Sequence, residues 1–153
     1  MSLQQKDNSF WMSQAFKLAE KAFSLDEVPV GAVVVCYDRI IGKGYNQCES
    51  LNDATAHAEV LAISAAASTL DNWRLNECDI YVTKEPCAMC AQAISLARIK
   101  RVYFGASDEK SGAVENGVRL YNDPSCHHIP EVYGGINAAK AKVLLRDFFR
   151  VRR

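Results

Sequence analysis

Two short segments constrain the fold and chemistry of this chain more than any other feature. Residues 55–59 read Thr-Ala-His-Ala-Glu, and residues 86–90 read Pro-Cys-Ala-Met-Cys. Each segment lies at or near the predicted start of a helix, where the helix dipole lowers the pKa of a thiol and favours the metal-binding thiolate. One imidazole nitrogen and two thiolates are ligands that suit zinc. The two segments together therefore predict a zinc site.

The predicted zinc site has three protein ligands, His57, Cys87 and Cys90. A structural zinc site usually has four, so three ligands leave one position for water, as in a catalytic site. Bound zinc lowers the pKa of water from about 15.7 to about 7 and makes hydroxide available at neutral pH. Helix positions two apart point about 200° apart, so Glu59 should not bind the same ion as His57. We expect Glu59 to carry protons instead.

Each part of this pattern also has an ordinary interpretation. A lone pair of cysteines three apart can be a redox pair or half of a structural zinc site. A lone histidine is more often a hydrogen-bonded structural residue, and a lone glutamate is usually a solvated helix residue. In combination, with Pro86 directly before Cys87, the residues match the H-x-E and P-C-x-x-C signature of zinc deaminases. The open alternative is a closed site whose fourth ligand is Cys126, His127 or His128.

Length and composition favour one ordinary globular domain spanning residues 1–153, with 49% hydrophobic and 24% charged residues. The formal net charge is zero, which neither favours nor excludes binding to nucleic acid. The amino terminus lacks the features of a secretory signal, and no apolar run has the length of a membrane span. We therefore expect a cytoplasmic protein without membrane association, in which clustered cysteines indicate metal or redox chemistry.

Hydrophobic periodicity predicts alternating helices and strands. Strands are expected over residues 30–37, 40–45, 80–83 and 101–105, the first two forming a hairpin with a turn at Asp38-Arg39. Helices are expected over residues 10–23, 55–67, 87–97 and 137–149, and residues 107–129 are expected to be irregular. This order favours a three-layer α/β domain built around one mixed sheet.

Six stretches of the sequence carry a resemblance to a known family. They are residues 28–33 (Val-Pro-Val-Gly-Ala-Val), 55–59, 81–83 (Tyr-Val-Thr), 85–90, 102–108 (Val-Tyr-Phe-Gly-Ala-Ser-Asp) and 146–153 (Arg-Asp-Phe-Phe-Arg-Val-Arg-Arg). The chain resembles the bacterial tRNA-specific adenosine deaminases over nearly its whole length. The zinc motifs identify only the cytidine and adenosine deaminase superfamily, whereas the Phe-Gly-Ala stretch and the last segment select the tRNA branch.

The resemblance implies a fold and a reaction. The fold is the cytidine-deaminase-like α/β/α architecture with a central mixed five-stranded sheet. The reaction is the hydrolysis of a cyclic amidine C–N bond, which converts adenosine at the wobble position of a tRNA anticodon into inosine. Hydroxide on the zinc attacks C6 of the flipped adenine, and Glu59 moves protons to N1 and to the leaving amine. The family is homodimeric, and each subunit would hold one zinc ion.

The resemblance also assigns substrate contacts. Asn46 would contact the target nucleoside, Val28 would pack on its base, and the Ala58 backbone N–H would hold the water or the product oxygen. Neighbouring nucleotides of the anticodon stem-loop would meet Asp108, Lys110, Phe149 and Arg153. For Asn46 the alternative is a plain turn residue, and for Phe149 it is a place in the core or in a dimer interface.

Three positions depart from the family pattern. Lys84 stands where the family usually has leucine, and Asp53-Ala54 stands where it has Asp-Pro. His127-His128 stands where it has Asn-His, and the asparagine contacts the substrate. His127 can still donate one hydrogen bond, but it cannot reproduce the donor and acceptor pair of an amide. Nucleotide recognition at His127 is therefore where this chain would differ from the family.

The end of the chain is strongly basic. Asp147 is the one acid among six basic side chains, which are Lys140, Lys142, Arg146, Arg150, Arg152 and Arg153. A local basic patch with aromatic residues beside it is typical of RNA binding. For any single one of these charges, a solvated helix face is the alternative.

Two rival functions remain open at this point. A deaminase of a free base or nucleoside, such as guanine, would have the same catalytic motif, but a small base needs no phosphate contacts. A non-catalytic RNA-binding module stabilised by zinc would have no use for Glu59.

Overall fold

A five-stranded mixed sheet forms the centre of the structure, a computed structural model that describes residues 6–152. The strands are β1 (Gly31–Cys36), β2 (Arg39–Tyr45), β3 (Cys78–Lys84), β4 (Arg101–Ala106) and β5 (Glu131–Tyr133). Their order across the sheet is β2-β1-β3-β4-β5. Strand β1 is antiparallel to both of its neighbours, whereas β3, β4 and β5 run parallel. The mixed five-stranded sheet is thereby confirmed.

Within residues 6–152, four helices and one 3-10 turn accompany the sheet. They are α1 (Asn8–Ser24), α2 (Ala58–Leu70), α3 (Ala88–Leu96) and α4 (Ala138–Val151), and the 3-10 turn is Leu120–Asn122. The predicted start of α2 at Thr55 is wrong, because the side chain of Asp53 accepts hydrogen bonds from the N–H and hydroxyl of Thr55 and holds a turn there. Between residues 6 and 152, no helix is both long and apolar enough to cross a membrane.

The helices lie in two layers, one on each face of the sheet. Successive strand residues point to opposite faces. Val34 of β1 shares a buried cluster with residues of α2 and α3. Its neighbour Val33 shares a second cluster with residues of α1 and α4. The three-layer α/β/α arrangement is therefore confirmed.

The hairpin between β1 and β2 turns one residue earlier than predicted. Tyr37 and Asp38 form the turn, and their φ values are 48° and 61°. Two left-handed residues in succession are typical of a tight turn that matches the twist of its two strands.

Helix α2 packs unusually close to β2, and Gly44 makes this possible. A Cβ atom on Gly44 would lie 2.7 Å from the backbone nitrogen of Ala62 and closer still to the carbonyl oxygen of Ala58. The missing side chain therefore fixes the distance between β2 and the first turn of α2.

The parallel strands β3 and β4 end at the same edge of the sheet, where Lys84 pairs in register with Ala106. The chain continues from β3 into Glu85 and Pro86 and from β4 into Ser107 and Asp108. Open α/β sheets commonly bind ligands at the carboxyl ends of their strands, so this edge is where a site is expected.

Candidate active site

The structure brings the three predicted zinc ligands together. His57 is the N-cap residue of α2 and Cys87 is the N-cap residue of α3, and neither side chain caps its own helix. The Nδ1 atom of His57 lies 3.6 Å from the Sγ atom of Cys87 and 3.5 Å from that of Cys90. Two helix starts thus present one imidazole and two thiols to a common point.

These distances fit a tetrahedral zinc ion. Zinc binds histidine nitrogen at about 2.0–2.1 Å and thiolate sulfur at about 2.3 Å, and a tetrahedral angle between such bonds separates the nitrogen and sulfur by about 3.6 Å. The ligand atoms of His57, Cys87 and Cys90 all lie within 4.8 Å of one another. The group could therefore hold zinc without rearrangement.

The alternative of a four-ligand closed site finds no support in residues 6–152, where the group of potential metal ligands contains only those three residues. Cys126 donates from its thiol to the carbonyl oxygen of His128 at 3.4 Å. His128 in turn donates from Nε2 to the carbonyl oxygen of Ile99 at 2.7 Å, and His127 is exposed. Cys126 and His128 thus have partners outside the group of His57, Cys87 and Cys90.

Glu59 is the buried acid beside the metal group. It lies in the first turn of α2, with 4% of its surface exposed, and it is not a member of the metal group. Burial raises the pKa of its carboxyl above the ordinary value. A carboxyl that binds protons more readily is suited to general acid–base work near neutral pH.

The pKa values of the two thiols, Cys87 and Cys90, are shifted in opposite directions. A hydrogen bond from Cys90 and a weaker contribution from His57 outweigh burial and lower the pKa of Cys87 to about 3. The same hydrogen bond and burial raise the pKa of Cys90. Zinc binding would displace the remaining protons, because thiolate and neutral imidazole are the forms that bind metals.

Two of the residues predicted to hold the target nucleoside, Asn46 and Ala58, lie at or beside the start of α2. Asn46 is buried directly after β2, and the N–H of Gln47 donates to the carbonyl oxygen of Ala56 at 3.0 Å, so Asn46 lies beside the segment that leads into His57. Ala58 is the first residue of α2 and is fully buried. Val28 is half-buried and packs against the cluster shared by α2 and α3.

A buried acid fixes the loop that carries Asn46. The carboxylate of Glu27 accepts hydrogen bonds from the N–H groups of Glu49 at 3.0 Å and Ser50 at 2.7 Å. Burial by itself would raise the pKa of Glu27, but these hydrogen bonds outweigh it and the pKa lies below the ordinary value. The loop is therefore held by an ionised side chain.

A groove of about 810 Å³ lies beside the carboxyl ends of β3 and β4, and we call it the basic groove. It is lined by Lys84, Ala106, Ser107, Asp108, Lys110, Ser111, Lys142, Leu145, Arg146, Phe149 and Arg150. Three of the predicted RNA contacts, Asp108, Lys110 and Phe149, lie in it, and Phe149 is 47% exposed. His127 is not among the lining residues, and Arg153 lies outside the described residues.

The basic side chains at the end of the chain do not all lie on one surface. Lys142, Arg146 and Arg150 line the basic groove. Lys140 instead forms an ion pair with Glu20 of α1 at 3.4 Å. Arg152 packs over the ring of Phe148, with 3.8 Å from its Cζ to the ring centroid, and forms an ion pair with Asp26 after α1. Two of the six basic side chains, Lys140 and Arg152, therefore pair with acids in or just after α1 and do not line the groove.

Sequence reasoning missed the part played by Glu85, which is fully buried at the end of β3. Its carboxylate accepts hydrogen bonds from the backbone N–H groups of Asp108 (2.9 Å), Val114 (3.0 Å), Glu115 (2.9 Å) and Asn116 (3.1 Å). The Ser107 hydroxyl and the Asn116 side-chain amide donate as well. The sequence contains one indication of this role: Glu85 is a charged residue at the end of an apolar strand, directly before Pro86-Cys87.

These hydrogen bonds determine the charge of Glu85. Burial alone would raise the pKa of its carboxyl, but the donors from Asp108 and Asn116 outweigh burial and lower it. One buried anion therefore organises the segment 107–116, whose residues 107, 108, 110 and 111 form a wall of the basic groove.

Comparison with known proteins agrees with this geometry. A family model of the cytidine and deoxycytidylate deaminase zinc-binding region matches residues 5–106. A tRNA-specific adenosine deaminase of Agrobacterium fabrum (strain C58 / ATCC 33970) is 48% identical over 147 residues, which cover 96% of this chain and 97% of the relative.

Solved structures show the same likeness. A tRNA:A34 deaminase studied for A-to-I editing at the wobble position of transfer RNA superposes with a TM-score of 0.89, at 48% identity over 90% of this chain and 100% of the other. A guanine deaminase from Bacillus subtilis superposes with a TM-score of 0.66, at 34% identity over 82% of this chain and 83% of the other. Sequence, fold and metal group therefore agree, and the chain belongs to the tRNA-specific adenosine deaminases, a family that carries the cytidine and deoxycytidylate deaminase zinc-binding region.

Proposed function

We propose that this chain is a zinc-dependent hydrolase that converts adenosine at the wobble position of a tRNA anticodon into inosine and releases ammonia. The observation that carries the chemistry is the three-ligand group of His57, Cys87 and Cys90 with the buried acid Glu59 beside it. The tRNA substrate is supported by the relatives, which are tRNA-specific adenosine deaminases at 48% identity. The enzyme would work in the cytoplasm.

In this proposal His57, Cys87 and Cys90 hold one zinc ion per subunit. When bound, zinc lowers the pKa of water and so supplies a nucleophile at neutral pH. Glu59 takes a proton from the attacking water and delivers protons to N1 of the purine and to the leaving amine. Water thus replaces the amino group at C6, and the amine leaves as ammonia.

The residues around α2 orient the nucleoside. Asn46 hydrogen-bonds to the target nucleoside, Val28 packs against its base, and the backbone N–H of Ala58 holds the water or the product oxygen. The burial of Asn46 and the anchoring of its loop by Glu27 support a fixed position for the amide. Orientation of this kind can supply a large part of a rate enhancement.

The rest of the anticodon stem-loop follows the basic groove. Asp108, Lys110, Phe149 and Arg153 contact the neighbouring nucleotides, and His127 takes part in nucleotide recognition with a single hydrogen bond. An unpaired anticodon loop costs less to open than a duplex, because its bases are already unstacked. The enzyme acts as a homodimer.

A free purine base is the second candidate substrate, because a guanine deaminase is 34% identical and shares the fold. The deciding experiment incubates the zinc-loaded protein with an anticodon stem-loop carrying adenosine at the wobble position, with guanine and free nucleosides in parallel. Inosine in the RNA, absent with Glu59→Gln, supports the proposal. Ammonia from guanine or free nucleosides without inosine in the RNA would keep the zinc chemistry and reject the tRNA substrate.

A further inference from the structure

The basic groove contains one acidic side chain, Asp108, which forms an ion pair with Lys84. The Nζ atom of Lys84 lies 3.1 Å from the Oδ2 atom of Asp108. The exposed fractions of the two side chains are 25% and 18%, so solvent screens this pair less than a surface pair.

Asp108 cannot turn away from the groove. Its Oδ1 atom accepts hydrogen bonds from the N–H groups of Lys110 at 3.0 Å and Ser111 at 3.1 Å. Its own N–H donates to the buried carboxylate of Glu85 at 2.9 Å. The backbone is held on one side and the carboxylate on the other, so the negative charge of Asp108 has a fixed place on the groove wall.

A fixed carboxylate is unfavourable for an RNA strand in this groove. The other charged lining residues are all cations, namely Lys84, Lys110, Lys142, Arg146 and Arg150. RNA binding to such a surface depends on neutralising phosphates, and a carboxylate among the cations competes with the phosphates for them. Charge repulsion between carboxylate and phosphate is strongest where the site is partly desolvated.

We propose that Lys84 determines RNA affinity by neutralising Asp108. Lys84 is a positioning residue in this role: its ammonium group pairs with the carboxylate, so that Lys110, Lys142 and Arg150 stay available to the phosphates. The inference rests on the proposed tRNA substrate.

The test is a suppression experiment with four zinc-loaded proteins. All carry Glu59→Gln so that the RNA stays intact, and they combine Lys84 or Lys84→Leu with Asp108 or Asp108→Asn. The Kd for an anticodon stem-loop with adenosine at the wobble position is measured between about 50 and 200 mM salt. Asparagine keeps the Oδ1 acceptor of Asp108, so this variant removes the charge and preserves the loop contacts.

Lys84→Leu alone should raise the Kd about tenfold near 0.1 M salt and reduce the salt dependence, because an unpaired carboxylate now competes for the groove cations. In the Asp108→Asn background, by contrast, Lys84→Leu should change the Kd by no more than about threefold. Both proteins in this comparison lack the carboxylate, so any nucleotide contact of Asp108 itself is lost equally from both. Lys84→Arg should bind like the starting protein, because arginine can keep the ion pair. The control is Lys100→Leu, an exposed lysine at the opposite end of β4, which should leave the Kd unchanged.

Three outcomes would overturn the inference. If Lys84→Leu raises the Kd as much in the Asp108→Asn background as in the starting protein, Lys84 contacts the RNA directly. If Lys84→Leu leaves the Kd unchanged and changes only the thermal stability or zinc content, the ion pair is structural. If the starting protein does not bind the stem-loop at all, the tRNA substrate itself is wrong, and the role of Lys84 falls with it.

Discussion

Glu59 and Glu27 are both buried acids of the candidate active site, yet their surroundings move their pKa values in opposite directions. Glu59 lies in the first turn of α2, where burial raises its pKa. Two backbone N–H groups face Glu27 and keep it ionised. The first acid is suited to exchanging protons and the second to holding a loop, so their variants should fail in different ways.

Glu59→Gln should abolish turnover while folding and zinc content persist. Removing a general acid–base group lowers kcat by about 10²–10⁴-fold, and here one residue would serve both proton transfers, so the loss should reach the upper end. Inosine formation and metal analysis on the same sample measure the two properties. Glu109→Gln, at an exposed position, is the matched control. Loss of zinc in the Glu59 variant would make Glu59 a ligand.

Glu27→Gln should lower stability in a pH-dependent way. The pKa of Glu27 is lowered in the folded protein, so its contribution is present above the unfolded pKa and is lost as pH falls through the folded value. The variant should be less stable by about 1.5–3 kcal/mol near pH 7, the range for hydrogen bonds to a charged group. The difference from the parent should shrink at acid pH. Urea unfolding of both proteins at several pH values measures it, and a gap independent of pH would show that the charge is irrelevant.

At the scale of secondary structure, the site depends on how closely α2 packs on β2. Gly44→Ala should displace the first turn of α2, because the added Cβ meets backbone atoms of Ala58 and Ala62, which cannot rotate away. Overpacking of this kind costs about 1–3 kcal/mol, and the displaced turn carries both His57 and Glu59. Thermal unfolding and a zinc titration should show reduced stability and weaker metal binding.

Lys43→Ala, on the same strand with an exposed side chain, is the control for the packing experiment. It should leave the zinc affinity unchanged. If Gly44→Ala also binds zinc like the parent, α2 can shift away from β2 without disturbing the metal group.

Glu85→Gln should loosen the segment 107–116 without removing the metal. The amide that replaces the carboxylate has one acceptor oxygen, so it cannot receive all the hydrogen bonds now donated by Asp108, Val114, Glu115 and Asn116. Each donor left buried without a partner costs about 1–3 kcal/mol. Hydrogen exchange should accelerate at these four amides while zinc content persists. Glu115→Gln, which is exposed, should leave the exchange unchanged.

The sequence made some of these features predictable and concealed others. The metal group was predictable because its residues are in two short motifs next to helix starts. The start of α2 was predicted too early, because the Asp53–Thr55 hydrogen bonds compete with the helix. The role of Glu85 was hidden because its donors come from residues 107–116, which have no periodicity. The basic side chains at the end of the chain follow a regular pattern, but the pattern does not show which of them line the groove. Lys140 and Arg152 are held outside it by Glu20 and Asp26, which are distant in sequence.

At the scale of the whole molecule, a formally neutral chain concentrates positive charge in one groove. Lys142→Gln and Arg150→Gln should each weaken stem-loop binding and reduce the slope of log K against log salt by about 0.7, the value for one phosphate contact on a single strand. Lys140→Gln should leave the slope unchanged, because Lys140 pairs with Glu20 outside the groove. Stem-loop binding by each variant is measured across a salt series to obtain its slope. Equal slopes for all three variants would mean that the RNA does not follow the groove.

The hydrogen bonds to Glu85 have a consequence for how this protein can diversify. Four of them come from the main chain, at residues 108, 114, 115 and 116. Every amino acid except proline supplies such a donor. The fold of this segment therefore depends mainly on its main chain, and also on Gly112, where an added Cβ would collide with the Glu85 carboxyl group, and on the Asn116 side-chain amide, which donates to the same carboxylate. Mutation can change the exposed side chains that meet a substrate without losing the loop that presents them, provided that Glu85, Gly112 and Asn116 are kept.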